Sequence, residues 1–136
     1  MDLDKLIKVA IDASKNSYSP YSKFKVGASL LTKEGQYFGG CNVENSSYGL
    51  TNCAERTCLF SAYAAGVRKE DIVAFVEYSP KEHLVSPCGA CRQVMSELLD
   101  LDCPVYIVYG SKPTIVKTTI RELMPLTFTK EDIDNA

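Results

Sequence analysis

The stretch "IVAFVEY" at residues 72–78 decides how this chain is read. It is apolar almost throughout and does not alternate, the pattern of a strand covered on both faces rather than one with a side in water. Something must therefore lie over each face. Before it, residues from Cys53 to Ala65 read as a helix closed by Gly66 as its C-terminal glycine. After it, a helix follows "SPCGAC", with Cys91, Val94, Met95, Leu98 and Leu99 along one stripe.

The flanking segments extend this pattern. Leu3, Leu6, Ile7, Ala10 and Ile11 have amphipathic-helix spacing, which "SYSPYS" ends. "FKVGASLL" alternates, with Val26, Ala28 and Leu30 on one face, and "KEG" turns it into "QYFGGCNV" as a hairpin. "PVYIVYG" reads as another strand and "PTIVK" as a short last one. "TIRELM" opens with a capping-box pattern from Thr119 to Glu122 and stops at Pro125, and "TKEDI" adds a final turn. Strands alternating with helices predict a sheet with helices on both faces.

At 136 residues the chain suits one domain spanning 1–136, with 46% hydrophobic and 24% charged residues. A formal net charge of −2 without a basic run argues against a surface that tracks phosphates. No apolar run reaches the roughly 20 residues that cross a bilayer. The first residues lack the pattern of a signal peptide, so the expected location is cytoplasmic. In a reducing compartment, six cysteines are free thiols or metal ligands rather than disulfides.

Two helix starts carry the chemistry. Ser86 is a good N-cap and Pro87 suits the first helical position, which places Cys88 in the first turn and Cys91 one turn on. Asn52 similarly caps the preceding helix and places Cys53 in its first turn. Positive helix ends favour thiolates, the form that binds metal. Three thiolates without a fourth protein ligand describe a catalytic zinc site rather than a closed structural one. The only histidine, His83, lies in the polar stretch "PKEHL" and reads as a solvated loop residue. Cys58 turns to another side of its helix, and Cys41 and Cys103 read as buried thiols near strand ends.

Glu55 has two readings, as the N3 partner of Asn52 in a capping box or as an acid–base group beside a metal-activated water. Arg56 is either a surface arginine or a donor to the ligand sulfurs, drawing charge from a zinc that three thiolates leave at net −1. Arg92 has the weaker claim to that second role.

"YSPYSKFKVGASL", "GCNVENSSY", "NCAERT", "SPCGACRQVMSEL" and "ELMPLTF" together resemble, in order and over nearly the whole chain, the small free-nucleoside branch of the zinc-dependent cytidine deaminase family. The resemblance implies a three-layer α/β/α sandwich around a mixed sheet of about five strands. It implies one zinc per chain on Cys53, Cys88 and Cys91, with Glu55 as the proton shuttle and Arg56 bonding the ligand sulfur. Asn42 and Glu44 match the pair that binds the ribose hydroxyls, and Phe24 the aromatic against the pyrimidine. The Ala54 N–H matches the donor to the base carbonyl, and the Ser86 carbonyl the acceptor near the leaving amino group. The implied reaction is hydrolytic deamination of cytidine and 2′-deoxycytidine in pyrimidine salvage. Similar enzymes are homotetramers in which a C-terminal phenylalanine, matched here by Phe128, enters a neighbour's pocket, with Tyr48 at that shared pocket. The alternatives are deamination of a related small aminopyrimidine nucleoside and a structural zinc module. Nucleic acid and membrane are not expected partners.

Overall fold

A computed structural model describes residues 1–134, so the last two residues of the expected domain lie outside the described ones. Helix α1 (Leu3–Ser14) starts at Asp2, whose carboxylate accepts the Lys5 N–H at 3.0 Å. The hairpin is β1 (Gly27–Thr32) and β2 (Tyr37–Cys41), turned by Gly35 at φ 86°. Helix α2 (Ala54–Ala64) ends just before Gly66, whose φ of 96° is the left-handed conformation that glycine adopts freely. Strand β3 (Ile72–Ser79) contains the opening stretch and leads into α3 (Gly89–Leu98). Then come β4 (Val105–Tyr109), β5 (Thr114–Thr118), a short α4 (Ile120–Leu123) and α5 (Lys130–Asp134). At α4 the Thr119 hydroxyl accepts the Glu122 N–H, while the Glu122 carboxylate accepts from the Thr118 hydroxyl. Half of the expected capping box is therefore present.

The sheet order is β2-β1-β3-β4-β5, with β3 and β4 parallel and every other pair antiparallel. The stretch at 72–78 thus forms the central strand. Leu6, Ile7 and Ala10 of α1 pack with Ala74, Val76, Tyr106 and Val108 on one face. On the other, Ala54, Cys58, Leu59 and Ala62 of α2 and Cys91 and Met95 of α3 pack with Ala28, Leu30, Phe75 and Val105. This is the expected three-layer α/β/α arrangement on a mixed sheet of five strands.

Two glycines set how close the outer layers come. A Cβ on Gly27 would lie 1.9 Å from the Ala10 carbonyl oxygen of α1, and one on Gly40 would lie 2.4 Å from the Cys58 nitrogen of α2. Gly40, Ala28, Glu77 and Ile107 are register partners on successive strands, so they form one row on the α2 side. The small residues at 40 and 28 let the start of α2 descend onto that row.

Glu77 is the surprise of the row. It is 2% exposed and its Oε2 finds no hydrogen-bond partner among the described residues. Burial, reinforced by the charge of Glu55, pushes its carboxyl up to about 9.

Two predictions follow from this packing. Gly40→Ala must lift α2, because the clash is with backbone; destabilisation of about 2 kcal/mol or more and reduced zinc content are expected, whereas Gly49→Ala, with nothing within 4 Å, should be neutral. Equal melting temperatures for the two variants would contradict the close approach. Glu77 is ionised in the unfolded chain above the ordinary carboxylate range but neutral in the fold until about 9. Its contribution to stability therefore falls as pH rises between those values, by at most roughly 1.4 kcal/mol per unit. Glu77→Gln should flatten that decline in urea melts between pH 5 and 9, and an unchanged slope would refute the neutral state.

Candidate metal centre

Helices α2 and α3 both begin at a cysteine. Cys53 (φ −74°, ψ 156°) and Cys88 (φ −67°, ψ 165°) are the extended residues at which the helices start, and neither thiol bonds back to its own helix. This corrects the expectation that Asn52 and Ser86 are the caps and that Pro87 opens α3. Asn52 is drawn away by tertiary contacts. It exchanges two backbone hydrogen bonds with Val43, each 2.9 Å, and its amide donates to the Thr57 hydroxyl at 3.1 Å. The Ser86 hydroxyl accepts from Arg92 at 2.7 Å instead of capping α3. The capping-box reading of Glu55 falls with Asn52. Glu55 occupies the second position of α2, with no cap partner to serve.

An extended cap leaves its side chain free to point away from the helix. The Cys53 and Cys88 sulfurs stand 3.8 Å apart, and with Cys91 one turn into α3 the three Sγ atoms lie within 4.8 Å of one another. Zinc–sulfur bonds of about 2.3 Å in a tetrahedron put sulfurs about 3.8 Å apart, so the donor set fits that ion. Among the described residues no fourth Cys, His, Asp or Glu joins the group. A closed four-ligand structural site is therefore not what these residues build.

The electrostatics separate these thiols from the rest. Cys53 is pulled down to about 5 by hydrogen bonding from Cys91, then from Arg56 and Cys88. Cys91 is driven strongly upward, first by its hydrogen bond with Cys53 and then by burial. Three thiols this close cannot ionise side by side without a cation among them. By contrast, burial alone raises Cys41, and burial is the main cause pushing Cys103 up to about 12 and Cys58 higher still. Those three stay protonated, and the Cys58 thiol is spent on the Phe38 carbonyl at 3.5 Å.

Arg56 points its Nη2 at the Cys53 sulfur from 3.3 Å. Glu55 is 4% exposed, and burial first, then the charge of Cys53, pushes its carboxyl up to about 7. The sequence reading passed over Glu77, which lies in the sheet row beneath the start of α2. The available signal was an acid inside an otherwise apolar central strand.

The residues matched to a nucleoside form a second, connected cluster. The Asn42 amide donates to the Phe24 carbonyl at 2.7 Å and accepts from the Val26 N–H at 2.9 Å and the Ser17 hydroxyl at 2.5 Å, which leaves one amide N–H unused among the described residues. Glu44 accepts from the Tyr21 and Ser22 N–H groups at 3.0 and 3.1 Å and from the Ser22 hydroxyl, which chiefly holds its carboxyl below the ordinary range. Phe24 is half-buried rather than in the core, with the Lys81 ammonium 5.2 Å from its ring centroid. The bridge from Val43 to Asn52 joins this cluster to the residue before Cys53, and Lys81 joins it to the loop that leads to Cys88.

Tyr48 is 79% exposed and meets Tyr21 edge to face, and Phe128 is 56% exposed. His83 is exposed, as a solvated loop residue should be. A broad groove of about 1100 Å³ along Tyr63, Arg68, Leu101 and Phe128 contains none of the three clustered thiols.

Known proteins share this arrangement at the level of the whole chain. The profile of the cytidine and deoxycytidylate deaminase zinc-binding region matches residues 1–107. Cytidine deaminase from Halalkalibacterium halodurans is 50% identical over 135 residues, covering 99% of this chain and all of the relative. Cytidine deaminase from Sporosarcina psychrophila is 48% identical over 136 residues, covering 100% of this chain and 98% of the relative. The crystal structure of cytidine deaminase from Burkholderia pseudomallei superimposes with a TM-score of 0.90 at 46% identity, covering 94% of this chain and 100% of that one. With its thiol triad, its fold and its sequence in agreement, this chain belongs to the zinc-dependent cytidine and deoxycytidylate deaminase family.

Proposed function

We propose that this chain, acting as one catalytic domain, converts cytidine and 2′-deoxycytidine plus water to uridine and 2′-deoxyuridine plus ammonia. The observation that carries the reading is the triad of Cys53, Cys88 and Cys91 with a buried carboxyl, Glu55, two residues from one of its members. Zinc held by the three thiolates supplies a Lewis acid that brings the acidity of water close to neutral pH.

The remaining work falls to the chain's own groups. Glu55, raised to about 7 by burial, can both take and release a proton near neutrality. It takes one proton from water and gives it to N3 of the pyrimidine as the water oxygen bonds C4. It then takes the proton of that new C4 hydroxyl and gives it to the amino group, whose bond to C4 breaks so that ammonia leaves and the C4 carbonyl remains. Arg56 draws charge from the Cys53 sulfur, which offsets the electron-rich ligand set. Ala54 is the first residue of α2, so its N–H has no partner within the helix and serves the base carbonyl. The Ser86 carbonyl receives the amino group, and Phe24 packs on the ring.

Asn42 and Glu44 hold the ribose hydroxyls, which do not react but orient C4. Glu44 stays ionised, so a phosphate on the same sugar would be repelled. That favours a free nucleoside over a nucleotide or a nucleic-acid strand. The exposed apolar residues Tyr48, Leu50, Leu126 and Phe128 support a homotetramer in which Phe128 and Tyr48 meet a neighbour's pocket. Thiolate ligands persist in a reducing compartment, consistent with a cytoplasmic enzyme of pyrimidine salvage. Among the described residues, no helix is long and apolar enough to cross a membrane.

The purified chain should release ammonia from cytidine and deoxycytidine but not from a cytosine-containing oligonucleotide. Glu55→Gln should lose at least about a hundredfold in kcat while keeping one zinc per chain. Cys88→Ala should lose zinc. An inactive zinc-loaded wild type, or an active Glu55→Gln, would end the assignment. In solution, Phe128→Ala should weaken assembly seen by analytical ultracentrifugation, and a wild type that is monomeric at micromolar concentration would remove the shared pocket.

A further inference from the structure

Arg92 and Gln93 follow Cys91 directly on α3, and neither is used by the mechanism above. Among the described residues, all the hydrogen bonds of the Arg92 guanidinium go to oxygen. Its Nε donates to the Pro87 carbonyl at 2.8 Å, its Nη2 to the Ser86 hydroxyl at 2.7 Å, and its Nη1 to the Leu123 carbonyl at 2.7 Å. Gln93 donates its Nε2 to the Phe128 carbonyl at 3.0 Å. Two consecutive residues of the ligand helix therefore grip both ends of the segment 123–128. The middle of that segment is unusual: Leu126 has φ 55° and is fully exposed.

The other side of the grip is the loop into Cys88. Among the described residues, no backbone–backbone hydrogen bond from a turn or loop reaches residues 84–87. Pro87 has no N–H to offer one. The Arg92 side chain replaces that missing ladder. No carboxylate lies within ion-pair distance of it among the described residues, so it is not there to neutralise an acid. A planar fork that meets three oxygens at once fixes both position and angle, which a lysine cannot reproduce.

We propose that Arg92 is a positioning residue for the deamination: it fixes the Ser86–Pro87 backbone ahead of Cys88 and ties that loop to the 123–128 arm. The inference rests on the reading that the Ser86 carbonyl receives the leaving amino group. Its effect is transmitted through that carbonyl and not through the thiolates.

The test uses the zinc-loaded enzyme, with wild-type activity on cytidine measured first; an inactive wild type sinks the functional reading itself, and with it this proposal. In an active background, Arg92→Ala and Arg92→Lys should each lower kcat roughly ten- to a hundredfold with KM changed less, at full zinc content. Added guanidinium ion should restore part of the kcat of Arg92→Ala, whereas the lysine variant stays impaired. Hydrogen exchange at residues 84–88 and 123–128 should rise together in both variants. Unchanged kcat, or zinc loss in proportion to activity loss, would overturn the proposal while leaving the deaminase reading intact. So would faster exchange in only one of the two segments. If Arg92→Ala fails to fold, the kinetics and exchange of Arg92→Lys decide it alone.

Discussion

Negative sulfur repels negative sulfur, and the architecture is arranged around overcoming that repulsion at one point. Bringing the thiols of Cys53, Cys88 and Cys91 within 4.8 Å of one another is unfavourable as thiolates unless positive charge is concentrated there. The fold supplies it from several sources. Two helix starts aim their dipoles at the spot, and Arg56 adds a guanidinium 3.3 Å from the Cys53 sulfur. The cation completes the balance. Everything that brings α2 and α3 together, from the glycine at 40 to the parallel crossover between β3 and β4, serves this convergence.

The same convergence sets the environment of Glu55. Because α2 descends onto Gly40 and Ala28, the second residue of the helix is carried out of water, and burial lifts Glu55 toward neutrality. Close packing and the raised Glu55 carboxyl thus have one cause here. A looser contact between α2 and the sheet would hydrate the carboxyl and return it to the ordinary acidic range. Glu77, in the row beneath, is pushed up mainly by burial, with the charge of Glu55 adding to it.

Much of this was legible in the residues. Near-continuous apolarity at 72–78 identified a doubly covered strand, 3.6-residue spacing located α1 and α3, and Gly66 marked the end of α2. The pairing of "CAE" with "PCGAC" selected the three sulfurs out of six cysteines. The cap residues were not legible, because Asn52 and Ser86 have ideal local chemistry for that role and lose it to distant partners, Val43 and Arg92. The grip of Arg92 was hidden for a related reason: one of its acceptors, Leu123, lies 31 residues away. Glu77 was submerged in the apolar average of its strand. Local pattern reports what a residue prefers; the tertiary neighbours decide whether it gets it.

The extended backbone at Cys53 separates starting the helix from holding the metal. Since the side chain there contributes nothing to starting its helix, the fold dictates only that position 53 reach the metal, not which element does the reaching. A neutral imidazole in that place would remove one unit of negative charge from the cluster. The arginine at 56 would then lose its electrostatic purpose. The Cys53 sulfur and the Arg56 guanidinium are thus one electrostatic couple, and a change of charge at either position alters what the other is for.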